Sequence, residues 1–145
     1  MKNTFRFLPL LLLMFLNSCL KDEGNTTAPI AQSYVAQLSG TNAIPSNSSS
    51  ANGMLNGIYN SKAQTFNFTL NYTGINPASW NIHQGAAGEN GPILFALGNI
   101  YPSPYTGSIT LSSAQLAALN AGLLYLNIVS AGFPDGEIRG QIIKH

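Results

Sequence analysis

The chain has 145 residues, only 8% of them charged, and a formal net charge of +1 at pH 7. With no basic patch to neutralise phosphates, the composition excludes nucleic acid as a partner, and attraction to anionic lipid by charge has no support either. Asparagine, serine, threonine and glycine are abundant beside 10% aromatics, which describes a folded domain with a neutral hydrogen-bonding surface rather than a disordered chain.

The first elements set a compartment. Lys2 and Arg6 precede an apolar run from Phe7 to Leu16, interrupted by Pro9. About ten residues is half of what a membrane span needs, so the run fits the apolar region of a secretory signal. Leu16-Asn17-Ser18-Cys19 follows and resembles the lipobox of bacterial lipoproteins, with Asn17 standing where a small residue is usual. Cys19 is the one cysteine in the chain, so it has no intramolecular disulfide partner, and lipidation accounts for it. Residues 1–18 are therefore expected to be a lipoprotein signal peptide, and 19–33 a lipidated cysteine and flexible tether. Lys21-Asp22-Glu23 resembles the charged signal that follows the cysteine in surface-exposed lipoproteins of the Bacteroidetes. The expected location is the outer membrane, lipid-anchored and facing outward, with the periplasmic face as the alternative. Cleavage would leave 127 residues with four basic and five acidic side chains, a net charge of −1 and one domain's worth of chain.

Period-two patterns begin at Tyr34, where Tyr34, Ala36 and Leu38 share a face. Residues 45–52 read as a loop, 54–60 as a strand and 60–62 as a turn. Residues 65–72 give the cleanest alternation, with Phe66, Phe68, Leu70 and Tyr72 against threonines and asparagines. The sequons at Asn67 and Asn71 fall on its polar phase and read as outward strand residues rather than glycan acceptors. A short strand at 79–83 enters a glycine-rich loop over 84–92, and 92–97 reads as a buried strand. Residues 98–107 read as a loop before a strand at 108–111. Residues 112–121 form the one convincing helix, with Ser112 and Gln115 at capping-box spacing and Gly122 at its C-terminal stop. A strand over 123–129 should pair with a closing strand over 137–143, joined by a turn at 132–136. The expected fold is all-β, an antiparallel β-sandwich of Greek-key, immunoglobulin-like or superoxide-dismutase-like type with one short helix, over residues 34–145.

Four stretches in order carry a resemblance to the chordin-type, or CHRD, domain. Leu38-Ser39-Gly40 through Pro45 resembles an opening LSGxxEVP motif. Trp80-Asn81-Ile82-His83-Gln84-Gly85 with Gly88-Glu89-Asn90-Gly91-Pro92 resembles a central HIHxGxxGxNGP motif. Leu124 to Val129 resembles a YVNVH strand, and Gly136-Glu137-Ile138-Arg139-Gly140-Gln141 matches a closing GEIRGQ motif. The resemblance spans about residues 34–143 and implies a β-sandwich module with no established enzymatic activity. Ala43, Asn81 and Val129 stand where relatives often carry a glutamate and two histidines.

Candidate chemistry is thin. A transition-metal site needs three or four ligands, against His83, His145 and a lipidated cysteine, so no metal and no cofactor is expected. Glu89, Asp135 and Glu137 lack calcium-loop spacing, and no nucleophile elbow occurs. In an extended strand Glu137, Arg139 and Gln141 share one face and Ile138 and Ile142 the other. With His83 they form the candidate binding patch, weighed against Arg139 acting as a clamp on loop carbonyls. Gly85, Gly88 and Gly91 read as turn formers rather than a phosphate cradle. Tyr101, Tyr105 and Trp80 are candidate exposed anchors for a partner. The expected function is a membrane-anchored binding or structural module without catalysis. Its partners would be the membrane through Cys19 and a protein or glycan of the envelope. The alternative is a metal-dependent enzyme centred on His83.

Overall fold

A computed structural model describes residues 31–145; the expected signal peptide, Cys19 and most of the tether lie outside them. The alternating apolar residues build β1 (Gln32–Ser39), β2 (Asn52–Asn60), β3 (Thr65–Thr73), β4 (Pro77–Gln84), β5 (Ile93–Ala96), β6 (Tyr105–Thr110), β7 (Leu124–Ser130) and β8 (Phe133–Lys144), with α1 (Ser113–Asn120) between β6 and β7. Among the described residues these eight strands form one antiparallel sheet in the order β5-β4-β7-β8-β1-β2-β3-β6. The fold is all-β with one short helix, as expected. The two layers of the sandwich are the two halves of a single curled sheet.

The curl follows from burial. Phe66, Phe68, Leu70 and Tyr72 of β3, Tyr34, Ala36 and Leu38 of β1, and Leu124, Leu126 and Ile128 of β7 all point inward and are buried. A sheet with one apolar face must cover it, at roughly 25 cal/mol per Å² of apolar surface removed from water. Trp80 on β4 and Tyr105 on β6 lie in opposite halves of the sheet, yet their ring centroids are 4.5 Å apart. Tyr72 and Tyr101 pack edge-on to Trp80 at 6.0 and 5.2 Å. The Tyr105 hydroxyl donates to the Leu97 carbonyl (3.2 Å) and that of Tyr101 to the Ala78 carbonyl (2.6 Å), tying the two halves together.

The helix begins and ends as its sequence predicts. Ser112 and Gln115 form a complete capping box. At the other end Leu123 N–H donates to Ala118 O and Gly122 N–H to Leu119 O, with Gly122 at φ +67; this is the Schellman arrangement, which needs a left-handed residue at that position. Leu119 is fully buried beneath it, and the Tyr34 hydroxyl donates to Asn120 Oδ1 (2.7 Å).

Five expectations are corrected. Trp80 is 0% exposed, so it is the centre of the core and no surface anchor; Tyr101 and Tyr105 are half-buried against it. The 92–97 run yields only the four-residue β5, an edge strand paired on one side with β4 and left partly wet, Ile93 being 58% exposed. The loop ascribed to 98–107 ends sooner, since β6 starts at Tyr105 and pairs with β3. The hairpin between β7 and β8 turns at Ala131-Gly132, with Ser130 opposite Phe133, and residues 134–136 belong to β8. Pro134 is tolerated there because the register shifts at that point, and the Asn127 amide holds the Asp135 carbonyl (3.1 Å). The domain also starts two residues early, since Gln32 and Ser33, read as tether, pair with Tyr59 and Ile58.

Two measurements test this layout. Leu55→Ala, at a fully buried position, should cost about 2–5 kcal/mol in urea unfolding. Ile58→Thr, on the same strand but 53% exposed, should stay within about 0.5 kcal/mol. Burial pushes the Tyr34 hydroxyl above its ordinary 10.0, with Tyr59 adding to the effect, and burial does the same to Tyr72. Stability from these groups is therefore complete below pH 10.0 and is lost as the pH rises through their raised values. An ultraviolet phenolate titration followed beside circular dichroism should show their ionisation coinciding with alkaline unfolding.

Candidate functional site

The outward positions of β4, β7 and β8 place the candidate patch. His83 lies opposite Tyr125, Tyr125 opposite Gln141, and Asn127 opposite Arg139, so side chains from three strands meet on the face away from the core. Tyr125 sits at the middle. The His83 ring stacks on it at 4.9 Å with 12° between planes, and the Arg139 guanidinium carbon stands 3.6 Å from the ring centroid. That distance is well within cation–π range.

The loop after β4 folds back over this stack and is held there at several points. Arg139 donates through Nη1 to Asn90 Oδ1 (3.3 Å) and through Nη2 to the carbonyls of Ala86 (3.2 Å) and Glu89 (2.7 Å). Gln141 Nε2 donates to the carbonyls of Gly85 (3.0 Å) and Gly122 (2.6 Å). The Tyr125 oxygen accepts from Gly91 N–H (2.9 Å). His83 Nδ1 is 2.9 Å from the Gly91 carbonyl; a carbonyl only accepts, so Nδ1 carries a proton and donates it there. A side chain at 91 would put its Cβ 1.7 Å from the Gln84 carbonyl oxygen, so the close return of the loop requires glycine.

Glu137 works on the neighbouring loop. It is buried, and its Oε1 accepts from the Ser49 hydroxyl (2.6 Å). Its backbone carbonyl accepts from Asn47 Nδ2 (3.0 Å). Asn90 Nδ2 donates to the Ile44 carbonyl (3.2 Å), so the two loops touch. A cleft of about 330 Å³ remains between Thr41–Ile44 on one side and Ala87 and Gly88 on the other, with Arg139 and Gln141 at its floor.

The electrostatics are those of a buried clamp. Arg139 is 3% exposed, and burial pushes its guanidinium down from the ordinary value, with Tyr125 opposing the shift. Three oxygen acceptors and a π face offset the lost hydration. The structure brings all four candidate residues to this region, His83, Arg139 and Gln141 beneath one loop and Glu137 beneath the next. Glu89 and Asp135 stay exposed. Among the described residues no three of His, Cys, Asp and Glu come together as a metal would require. Tyr125, the hub, escaped the sequence reading, although Leu124 and Leu126 inward oblige Tyr125 to face outward.

Replacing Arg139 tests the clamp. An ammonium cannot reach three acceptors from one fork, so Arg139→Lys should destabilise by about 1–3 kcal/mol. Amide exchange at Gly91, read by NMR, should accelerate more than exchange in β2 or β3.

Residues 34–142 match the CHRD domain family. No curated protein and no solved structure matches the chain. The family span starts on the first buried residue of β1 and ends on the last buried residue of β8, and so takes in all eight strands, short of two residues at each end, and both clamped loops. The chain belongs to the CHRD domain family.

Proposed function

We propose that this protein is a non-catalytic binding and structural module, carried on the outer membrane by lipid on Cys19 and facing outward. The observation that carries the non-catalytic part is the engagement of the candidate patch. Arg139, Gln141, Glu137 and His83 each hold a loop atom, so the groups best suited to chemistry act as fasteners. The lipobox-like Leu16–Cys19 and the charged Lys21–Glu23 support the anchor and the outward face. Twelve residues lie between Cys19 and Gln32, thirteen steps with a reach of at most ~45 Å at ~3.5 Å each. β1 enters at the end of the sheet that holds the 61–64 turn and His145. A tether there would leave the loop at 40–51 pointing away from the bilayer. The partner is a protein or glycan of the envelope, and no cofactor is needed.

Cys19→Ala tests the anchor. The wild-type protein should incorporate an alkyne-labelled fatty acid, pellet with membranes and be cut by protease added to intact cells. The variant should lose the label and appear in the soluble fraction. A label retained by the variant would overturn the assignment, and protease resistance on intact cells would move the domain to the periplasmic face.

A further inference from the structure

One half of the sheet is unlike the rest. Strands β1, β2, β3 and β6 hold 32 residues, and not one is Asp, Glu, Lys, Arg or His. Average composition would place about eight charges there. Inward positions explain half of that absence, but the outward positions are open to water. Natural sheets normally guard an open edge with charge, above all lysine; β6, the edge strand of this half, carries none.

The outward side chains form a lattice of amides and hydroxyls instead. Asn56 lies opposite Thr69, which lies opposite Thr106; one row on, Ile58, Asn67 and Ser108 are aligned. Rows recur every ~6.8 Å along a strand and every ~4.8 Å across strands. Among the described residues Asn56 and Asn71 are exposed and spend no side-chain hydrogen bond on the protein. Two shallow grooves run along the same face. One of about 460 Å³ lies beside Asn52, Met54 and Asn71, and one of about 230 Å³ beside Asn56, Ile58 and Thr69.

We propose that this face binds a neutral polysaccharide. The claim deepens the binding-module reading and rests on it. A neutral glycan offers dense neighbouring hydroxyls that both donate and accept, and a primary amide answers both roles at once. The exposed apolar atoms of Met54 and Ile58 (37% and 53% exposed) suit the C–H faces of sugar rings. Other occupants fit less well. Nucleic acid and anionic lipid want cations, and protein interfaces centre on aromatic or arginine anchors, which the outward positions of these strands lack. A second copy of the chain would find a patch of roughly 15 by 30 Å, about half of the ~800 Å² per partner that a stable dimer buries.

Affinity electrophoresis of the full chain in mild detergent is the test. Native gels would contain hydroxyethylcellulose, a β-1,3-glucan or mannan, with polygalacturonate as the charged comparison. At least one neutral polymer should retard the protein, and polygalacturonate should not. Asn56→Asp with Asn71→Asp, both at exposed positions that leave the core intact, should weaken retardation about tenfold or more, as expected for losing one or two hydrogen bonds. Asn99→Asp, in the exposed loop before β6, should change nothing, and circular dichroism checks that each variant is folded. Three results overturn the proposal: no retardation by any neutral polymer, equal retardation of the double variant, or a dimer on cross-linking that Asn56→Asp disperses. None of them touches the lipid anchor, whose failure would show in the fatty-acid label alone.

Discussion

A sheet that is apolar on one side only cannot stay flat in water. Here the described strands provide no second sheet to lay against it, so the sheet bends until its halves face each other across Trp80. The tryptophan is fully buried, and its ring lies among those of Tyr72, Tyr101 and Tyr105. Its Nε1 has no hydrogen-bond partner among the described residues; the surrounding π systems are the weak acceptors at hand. The hydroxyls of Tyr101 and Tyr105 reach carbonyls of β4 and of the segment just after β5. The same rings thus supply apolar area on the inside and polar fastening at the rim, as amphipathic aromatics can.

The outside of the β4-β7-β8 half is fastened by different means. A glycine-rich loop has little apolar surface of its own, so hydrophobic burial cannot hold it in place. Hydrogen bonds to its backbone do so, and Arg139 and Gln141, two residues apart on β8, supply three of them, to the carbonyls of Ala86, Glu89 and Gly85. This gives the central and closing family motifs one joint meaning. The glycines of the first let the chain pass close over the sheet, and the arginine and glutamine of the second grip the carbonyls exposed by that path. Either motif without the other leaves unmet polar groups beneath the loop, which is costly where water is excluded.

Much of this was legible in the sequence, and the exceptions have physical causes. The inward sets of β1 and β3 followed from strict alternation, and α1 from its capping pair and terminal glycine. The pairing of β7 with β8 and the two faces of residues 137–142 were readable for the same reason. Trp80 was misjudged because a tryptophan beside a glycine loop looks the same whether it covers a core or greets a partner; only the curl decides. The turn expected at 132–136 proved shorter because an irregular register lets Pro134 ride inside a strand, where local turn chemistry has no bearing on register. β5 failed because an apolar run does not say whether a strand has one neighbour or two. The uncharged half of the sheet was visible only as a low overall charge until topology gathered its strands onto one face.

The two ends of the described chain also meet. The backbone N–H of His145 donates to the Ser33 carbonyl (2.9 Å), and β1 and β8 lie side by side between them. A module whose entry and exit share one doorstep is a cassette. It can be spliced into a surface loop of another protein, or strung in series with copies of itself, without stretching its host. Its strands would keep their register, since the central β1–β8 pair is closed by contacts internal to the cassette. That geometry suits a domain that can serve equally alone and as one unit of a longer chain.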